Sequence, residues 1–382
     1  MKYLHLASFS GNIGDAANHR GFYKNFHEYI DSHAQFVPCE IRQFYKSWHL
    51  KEFDDSFADY ANLHDALVIG GGNFFEICWD YSATGTTIDI SDDVLDKIKV
   101  PILINGIGFD DSKGYTSYTE NAFGHFLSSL LGRENCRVSV RNDGSMAMLK
   151  RHYDDEITLR VDVVPDGGFF YRPDISANTG RKKIGICMAK DQINRRFGGT
   201  EEYQVFLRNY AHFLVAFLEN APDYTIVFVP HIFSDIGAIY DLLEYLPDII
   251  RRNKIEIAGC NATDISTVDA SFAEYLECDL VISMRFHGNV VPIGNSIPTI
   301  GTVSFEKHMA VYEEIGIKNQ TLVTSSPYFF DKLPALVQGS LENKESLIAQ
   351  YAAIGNENKR QISDVYKRWK EWLDATGQYR EH

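Results

Sequence analysis

The feature that most restricts the fold of this 382-residue chain is a regular alternation of short apolar runs with amphipathic stretches. Each apolar run is continuous, which is typical of strands buried on both faces of a parallel sheet. The stretches between the runs have the spacing of surface helices. The alternation therefore predicts an α/β protein whose parallel sheets are covered by helices on both faces.

Strands are predicted in two sets of six, one in each half of the chain. The first set is Tyr3–Ala7, Phe36–Ile41, Ala66–Ile69, Ile102–Asn105, Arg137–Val140 and Leu159–Val163. The second set is Ile184–Met188, Thr225–Val229, Lys254–Ile257, Leu280–Ser283, Pro298–Ile300 and Thr321–Val323. The main predicted helices are Ala16–Ile30, Tyr118–Leu131, Asp143–Arg151, Glu201–Glu219, Ile236–Leu246 and Phe272–Cys278.

The length of the chain indicates two domains, because single hydrophobic cores stop growing at about 250–300 residues. A polar stretch that contains proline and glycine predicts a linker at about residues 171–182. We predict an N-terminal domain over residues 1–175 and a C-terminal domain over residues 176–340. Residues 341–382 are predicted to form a helix whose aromatic residues pack back across the domain junction.

The formal net charge of −15 restricts the class of ligand. No basic stripe of the kind that nucleic-acid binding needs is present. The protein as a whole repels an anion, so an anionic substrate has to be held by a local cluster of Arg, Lys, His and backbone N–H groups.

Cysteine usage and hydropathy indicate the compartment. The six cysteines show neither a Cys-x-x-Cys pair nor disulfide-like spacing, which favours reduced thiols in a cytoplasm. The N-terminal residues do not resemble a signal peptide, and no segment approaches the ~20 apolar residues of a membrane span. A cytoplasmic location is expected, with peripheral attachment to the inner face of the cell membrane left open.

Arg285 and His287 form the most informative candidate site. They follow the predicted strand Leu280–Ser283 and are separated by one residue, so in an extended chain they point to the same side. Arginine offers a planar, charged pair of donors to a carboxylate or phosphate, and histidine can give or take a proton near neutral pH. The pair is suited to chemistry on a small anionic substrate, although a strand-end ion pair beside a helix-capping histidine is the commoner arrangement.

Two glycine-rich turns follow strands of the first set. Gly11-Asn12-Ile-Gly14-Asp15 precedes a predicted helix, whose N-terminus attracts anions. Gly70-Gly71-Gly72-Asn73 lacks the residues of a nucleotide P-loop and the spacing of a dinucleotide fingerprint. Either turn could let a backbone approach a ligand closely, or could serve only tight packing between strand and helix.

Other polar side chains stand after predicted strands with weaker implications. Arg141 could reach a ligand, but an ion pair with Asp143 at the surface is more common. His231 is a second candidate acid or ligand, and lone histidines are mostly structural. Arg195 and Arg196, in a glycine-flanked loop, could close over an anion or could be solvated. No His-x-x-x-His, His-Glu-x-x-His or Asp-x-Asp arrangement stands at a strand end, so we expect no metal site.

Taken in chain order, these motifs resemble those of the polysaccharide pyruvyl transferase family. The landmarks are Gly11-Asn-Ile-Gly-Asp15, Gly70-Gly-Gly-Asn73, Ser139-Val-Arg141-Asn142, Pro230-His231 with Asp235, and Ser283-Met-Arg285-Phe-His287-Gly288. Ser304-Phe-Glu-Lys307 is similar to the family's Tyr-x-x-Lys after a late core strand, with Ser where Tyr is usual. The resemblance covers residue 11 to about residue 307.

This resemblance implies a GT-B-like fold, in which two Rossmann-like domains with parallel sheets face a central cleft. It implies transfer of pyruvate from phosphoenolpyruvate to a pair of sugar hydroxyls as a ketal, commonly during synthesis of cell-surface polysaccharide. No metal or organic cofactor is implied, and the sugar acceptor could be lipid-linked. The substrate-binding candidates are Gly11, Asn12, Gly14, Gly71, Gly72, Asn73, Arg141, Lys190, His231 and Lys307.

The resemblance also suggests roles. It places Arg285 and His287 at phosphoenolpyruvate, with His287 as general acid and Arg285 clamping the anion together with Arg141 or Lys190. Asp15 is our candidate for the base that activates the sugar hydroxyl. We expect the acceptor in the first domain, around Asn12, Asn73 and Phe74.

The chain departs from the family pattern at several positions. The family usually has an Arg soon after the first strand of its second domain, where this chain has Lys190, so Lys190 or Arg195 must serve. Asn142 replaces an Asp, and Asn73 is followed by Phe-Phe rather than by an early Asp. Two alternatives therefore stay open: a GT-B-type glycosyltransferase that uses a sugar nucleotide, and a non-catalytic carbohydrate-binding protein of the same fold.

Overall fold

A computed structural model describes residues 1–174, 180–260 and 268–378, without the side chains of residues 377 and 378. The chain divides into two compact units. Unit 1 consists of Met1–Phe9, Phe22–Gly167 and Glu357–His382, and unit 2 consists of Ser10–Gly21 and Gly168–Asn356. Each unit has its own parallel sheet and its own hydrophobic core.

The strands of unit 1 are buried and apolar, as expected for a sheet covered on both faces. They are β1 Lys2–Ala7, β2 Gln35–Glu40, β3 Ala66–Gly70, β4 Phe75–Glu76, β5 Ile102–Ile107, β6 Phe109–Asp110, β7 Cys136–Arg141 and β8 Asp162–Val164. The helices in this part of the chain are α1 Ile13–Tyr29, α2 Asp55–Asn62, α3 Asp92–Lys97, α4 Ser117–Gly132, α5 Ser145–His152 and α6 Asp155–Thr158. The main sheet has the order β2-β1-β3-β5-β7-β8, and β4 pairs with β6 separately.

Unit 2 repeats this architecture. Its strands are β9 Lys182–Cys187, β10 Tyr224–Phe228, β11 Ile255–Ile257, β12 Leu280–Ser283, β13 Thr299–Val303 and β14 Thr321–Val323. The helices that follow are α7 Ile193–Phe197, α8 Thr200–Asn220, α9 Phe233–Leu243, α10 Asp248–Lys254, α11 Val268–Leu276, α12 His287–Gly294, α13 Glu306–Glu314, α14 Phe329–Glu342 and α15 Lys344–Gln378.

The strand order of unit 2 is β11-β10-β9-β12-β13-β14, and all neighbouring strands are parallel. The order reverses between β9 and β12. Ligands of open α/β sheets bind outside the carboxyl ends of the strands at such a reversal. The topology therefore directs attention to the residues that follow β9 and β12.

Each predicted strand is present, and Leu280–Ser283 and Thr321–Val323 have the predicted bounds. The strand predicted at Leu159–Val163 begins later, at Asp162. The reason is local: the Asp154 side chain accepts a hydrogen bond from the Ile157 backbone N–H and starts helix α6, whose C-cap is Leu159. Leu159 is exposed and does not contribute to the sheet.

The two units differ from the predicted domain boundaries at both ends of the chain. Residues 10–21 were included in the predicted first domain, but they belong to unit 2. Ile13, Ala16 and Ala17 of helix α1 are buried in an apolar cluster of unit 2 that contains Val229 and Phe272. The burial of these three side chains decides the assignment.

Helix α15, at the other end of the chain, is divided between the two units. It begins at Lys344, and from Glu357 onward it belongs to unit 1 rather than forming a separate element. Within unit 1 the Tyr366 hydroxyl donates to Asn105 Oδ1 at 2.8 Å, and the indole N–H of Trp369 donates to Asp162 at 2.8 Å. The aromatic side chains noted in the sequence are thus packed on the sheet of unit 1. The predicted packing across the domain junction stays a prediction.

The predicted linker lies partly outside the described residues, which omit residues 175–179. Lys182, placed in the linker, already belongs to β9. Among the described residues, no helix combines the length and the apolar composition that crossing a membrane requires.

The first glycine of the run 70–72 is required by close packing of two strands. A Cβ atom at Gly70 would lie 2.0 Å from the backbone oxygen of Asn105 on the neighbouring strand β5. Both Gly70 and the contacting oxygen of Asn105 belong to the backbone, so no flexible side chain can move aside to make room. Close packing against strand β5, rather than the packing between strand and helix considered from the sequence, therefore accounts for this glycine without a ligand.

We predict that Gly70→Ala lowers the free energy of unfolding by about 1–3 kcal/mol, the usual cost of overpacking a core. The measurement is urea denaturation followed by circular dichroism. Gly132→Ala is the matched control, because a Cβ at Gly132 meets nothing within 4 Å. Equal unfolding midpoints for the two variants would contradict the packing explanation.

Candidate active site

Arg285 is held at the carboxyl end of strand β12 by a tight turn. Its backbone N–H donates to the Ser283 hydroxyl at 3.1 Å, and its carbonyl accepts from the Asn289 amide at 2.8 Å. The turn leads directly into helix α12. The backbone of Arg285 is therefore fixed beside the reversal of strand order.

Two carboxylates hold the guanidinium of Arg285. Its Nε donates to Asp235 Oδ2 at 3.1 Å, and its Nη2 donates both to Asp235 Oδ1 and, at 2.7 Å, to Asp191 Oδ1. Asp235 is fully buried at the start of helix α9, and its Oδ2 also accepts from the backbone N–H of His231 at 3.0 Å. Asp191 follows strand β9, so residues from three strand ends meet at this guanidinium.

Electrostatics favour the charged forms of Arg285 and Asp191. Burial by itself lowers the pKa of Arg285, but Asp235 and then Asp191 outweigh it and raise that pKa. Burial by itself raises the pKa of Asp191, but Arg285 and Arg196 outweigh it and lower that pKa. The Nη1 edge of Arg285 makes no hydrogen bond to a described residue, so it can still bind a substrate oxygen.

Arg196 is a site residue whose importance the sequence did not reveal. It is only 2% exposed, so the suggestion that it is solvated is wrong. Its Nε donates to the backbone oxygen of Asp191 at 2.9 Å, and its guanidinium carbon lies 4.5 Å from the ring centre of Phe305. Burial lowers its pKa. The apolar neighbour Phe197, also buried, was the available indication that this short helix faces inward.

His287 is the first residue of helix α12 and is buried. A Cβ atom at Gly14 would lie 2.5 Å from His287 Nδ1, so the backbone of Gly14 passes directly over the imidazole. Glycine at position 14 is therefore needed for the close approach of these two motifs. The first glycine turn and His287 thus lie together in unit 2, and their roles toward a substrate stay predictions.

The rest of the turn is ordered around this contact. The Ile13 backbone N–H donates to the carbonyl of His231 at 3.1 Å. Asn12 Oδ1 accepts from the Gly14 N–H at 2.9 Å, and Asn12 Nδ2 donates to Asp15 Oδ1 at 3.2 Å. Asn12 and Asp15 thus belong to the same unit as His287, and their predicted roles toward a substrate stay predictions.

His231 is buried and structural in its contacts. Its Nε2 is 2.9 Å from the hydroxyl of Tyr275. Burial, and after it the nearby Arg285 and His287, lower the pKa of His231 well below its ordinary value. A buried neutral imidazole whose ring is engaged by Tyr275 is poorly suited to be the acid of the reaction.

The two predicted lysines are both in unit 2. Lys190 Nζ lies 3.0 Å from Asp241 Oδ2, an oxygen that also accepts from the Tyr203 hydroxyl. Lys190 therefore pairs with neither of the two carboxylates that bind Arg285. The residue next to it in sequence, Asp191, is one of those two carboxylates. Lys307 is buried in the first turn of helix α13.

The remaining predicted binding residues lie in unit 1. Arg141 is buried, and its guanidinium donates to Asp143 at 2.7 Å and to Asp166 at 3.2 Å. The ion pair with Asp143 considered from the sequence is present, but it is buried rather than at the surface. Asn73 donates to Glu76 at 2.6 Å and to Asp110 at 3.2 Å.

The neighbouring glycines of the run are also engaged by the protein backbone. The Gly71 N–H donates to the Asn105 carbonyl at 3.1 Å. The Gly72 carbonyl accepts from the Gly108 N–H at 2.9 Å. The binding roles of Gly71, Gly72, Asn73 and Arg141 stay predictions.

Residues 12–304 match the sequence model of one family, described as polysaccharide pyruvyl transferase. The chain belongs to this family. The match includes the first glycine turn from Asn12 onward, the second glycine turn and the Arg285–His287 motif, which confirms the resemblance seen in the sequence. No curated protein matches the sequence.

Solved structures of known proteins resemble the whole chain. The S. aureus MnaA–UDP co-structure has a TM-score of 0.55 at 12% identity, covering 98% of this chain and 97% of that one. A putative UDP-N-acetylglucosamine 2-epimerase from Listeria monocytogenes has a TM-score of 0.57 at 10% identity, with 97% of each chain covered. An α,α-trehalose-phosphate synthase (UDP-forming) from Burkholderia vietnamiensis has 0.51 at 10%, covering 98% and 100%. At these identities the likeness concerns the fold, which is α/β and GT-B-like with two Rossmann-like domains.

We predict that Asp235→Asn destabilises the protein by about 3 kcal/mol, because removing one partner of a buried ion pair leaves the other charge uncompensated. Asparagine keeps an oxygen that can cap helix α9, so the effect reports the lost charge. The measurement is urea denaturation. Asp248→Asn, which removes an exposed partner of Arg252, is the control and should leave the midpoint unchanged. Equal shifts in the two variants would contradict the buried ion pair.

His231 should make stability depend on pH. Because its pKa is lowered in the folded state, the unfolded state binds a proton as pH falls below about 6.5, and the folded state does not. The free energy of unfolding is therefore not reduced by His231 above pH ~6.5. Below that value it declines by up to about 1.4 kcal/mol per pH unit. His231→Gln should remove this decline. The measurement is the free energy of unfolding, taken from urea denaturation curves between about pH 7.5 and about pH 5. Parallel pH profiles for wild type and variant would count against it.

Proposed function

We propose that this member of the family transfers the pyruvyl group of phosphoenolpyruvate to two hydroxyls of a sugar in a cell-surface polysaccharide or its precursor. The product is a pyruvate ketal, and inorganic phosphate leaves. The observation that carries the proposal is the arrangement around Arg285. A buried guanidinium is fixed at a strand end with one edge unused, next to the motif that contains His287.

The proposed anion site needs donors beyond this one edge. Arg285, Arg196, Asp191 and Asp235 together carry no formal net charge, so a trianionic substrate needs more positive groups. Lys190, 33% exposed, and Lys307 belong to the same unit. The unused Nη1 of Arg285 would bind the carboxylate or phosphate of phosphoenolpyruvate, and Lys190 would exchange its ion pair with Asp241 for the substrate.

The proposed chemistry needs an acid. His287 donates a proton to the methylene carbon of phosphoenolpyruvate, which becomes a methyl group, and the adjacent carbon becomes an oxocarbenium-like centre. A first sugar hydroxyl attacks that centre and loses its proton. Phosphate then departs with its bonding electron pair, and a second hydroxyl closes the ketal ring as it loses its own proton.

Asp15 is the proposed base for the first hydroxyl. It follows Gly14, the residue whose backbone passes over His287, and Asn12 Nδ2 orients its carboxylate from 3.2 Å. All bond changes are proton transfers and displacements at one carbon, so the proposal involves no metal or organic cofactor. The six cysteines are free thiols, which suits the cytoplasmic location that we propose.

Two variants test the proposal through phosphate release from phosphoenolpyruvate in the presence of a panel of sugars. His287→Gln should lower kcat by about 100-fold or more, the usual contribution of general acid catalysis. Arg285→Lys should raise KM for phosphoenolpyruvate by about tenfold, because the planar fork is lost. The exposed His125→Gln and Arg252→Lys are matched controls and should keep wild-type activity. Full activity in His287→Gln would sink the assignment.

Ligand-induced stabilisation separates this proposal from its alternatives. Phosphoenolpyruvate should raise the melting temperature of the wild type, because it binds the native state only. A rise with sugar nucleotides alone would instead favour a glycosyltransferase. No rise with either would favour a non-catalytic carbohydrate-binding protein.

A further inference from the structure

Helix α9 of unit 2 has apolar side chains on two different faces. One face is buried in the core of the unit through Ala238, Ile239 and Leu242. A helix at the surface of a protein usually has one apolar face, and a helix that is apolar all round is usually covered on every side. The second apolar face of α9 therefore calls for a partner.

Three large side chains form this second face: Phe233, Ile236 and Tyr240. Their spacing of three and then four residues places them one above the other on one side of the helix. They are 61%, 43% and 62% exposed, whereas the three core-facing residues are at most 2% exposed. We call Phe233, Ile236 and Tyr240 the α9 stripe. Single exposed apolar side chains are ordinary, but a contiguous exposed patch marks an interaction site.

The helix that carries the stripe is firmly held by the rest of unit 2. At its start, Asp235 Oδ2 accepts from the backbone N–H groups of His231 and Ile232, at 3.0 Å and 3.2 Å. Near its end, Asp241 Oδ2 lies 3.0 Å from Lys190 Nζ. The stripe is thus ordered before any partner arrives, which lowers the entropy cost of binding.

The charges around the stripe argue against a membrane or nucleic acid as the partner. Phe233–Leu243 contains no Lys or Arg, and the next residue is Glu244. Helices that lie on an anionic membrane carry Lys and Arg beside their apolar face. A chain with a net charge of −15 is also repelled by both kinds of polyanion. A small molecule would need a cavity, whereas the stripe lies on the outside of a helix.

The area of the stripe suits a protein partner. Large apolar side chains have about 150–250 Å² of surface each, so at these exposures the stripe presents roughly 250–400 Å². A standard interface covers about 800 Å² per partner, and in homodimers about 65% of it, or roughly 500 Å², is apolar. Tyr245 and Ile249, which follow α9 and are 36% and 69% exposed, would supply the difference.

We propose that the α9 stripe is the centre of a homodimer interface, in which α9 of one chain packs against α9 of a second copy. Most soluble oligomers have closed symmetry, and the commonest is the two-fold dimer, in which the same patch of both copies meets itself. With the axis perpendicular to the helix at the middle of the stripe, the helices run antiparallel and Ile236 faces its own copy. The two Glu244 side chains then lie at opposite ends of the helix pair. This proposal is independent of the proposed function.

The first experiment is sedimentation velocity of the full chain from about 10 nM to about 100 µM, because standard interfaces differ widely in affinity. The wild type should sediment with the mass of two chains and dissociate on dilution. Ile236→Glu should raise the Kd of the dimer about 100-fold or more, because two unpaired carboxylates would meet at the axis. Ile236→Leu should stay dimeric. Leu63→Glu is the matched control, since Leu63 is 78% exposed in unit 1 and lies outside the proposed interface.

The second experiment tests the position of the axis. Under mild oxidation, Ile236→Cys should form a disulfide between two chains, because residue 236 of each copy faces residue 236 of the other. Leu63→Cys and the wild type, with its six native cysteines, give the background. Circular dichroism shows that each variant is folded. The melting temperature of the wild type should also rise with protein concentration, and that of Ile236→Glu should not.

Three results would overturn the proposal. The first is a wild type that stays monomeric at every concentration. The second is a dimer that Ile236→Glu and Leu63→Glu leave equally intact, or equal cross-linking of Ile236→Cys and Leu63→Cys. The third is a monomer that sediments with vesicles of phosphatidylcholine and phosphatidylglycerol and loses this binding in Ile236→Glu, because the stripe would then bind lipid rather than a second copy.

Discussion

The buried ion pairs of Arg285 are the interaction on which the arrangement of unit 2 depends. A charged side chain that is only 15% exposed is costly unless carboxylates compensate it, and Asp235 and Asp191 do so from the ends of two other strands. Asp235 also accepts backbone N–H groups at the start of helix α9, so one carboxylate fixes both a helix end and a side chain. The group most useful for binding an anion is thereby held rigidly before any ligand arrives.

The compensation also limits what Arg285 can do. With two carboxylates on Nε and Nη2, only the Nη1 edge can serve a substrate, and the positive charge of the site is largely neutralised within the protein. Arg196 binds both the backbone oxygen and the carboxylate of Asp191, so it does not add a free cation. Under the proposed function, the lysines and His287 must therefore supply the remaining attraction for a highly charged donor.

A single glycine links the two best-defined motifs. The backbone of Gly14 lies so close to the imidazole of His287 that a methyl group would not fit between them. This contact exists because Ile13, Ala16 and Ala17 are buried in the apolar cluster of unit 2, although these residues come early in the chain.

The sequence by itself determined the twelve strands of the two main sheets, because continuous apolar runs between amphipathic helices have few other solutions. It also singled out Arg285 and His287, since their spacing after a strand is a local property. Only the tertiary structure decided that residues 10–21 belong to the second unit and that Arg196 is buried. It likewise decided that Asp191, rather than Lys190, contacts Arg285. These facts depend on which side chains, distant in sequence, lie in the same core or form an ion pair. The spacing of residues along a strand determines the side to which each side chain points. Burial and ion pairing depend instead on residues that are close in space, and their separation in the sequence does not show which residues these are.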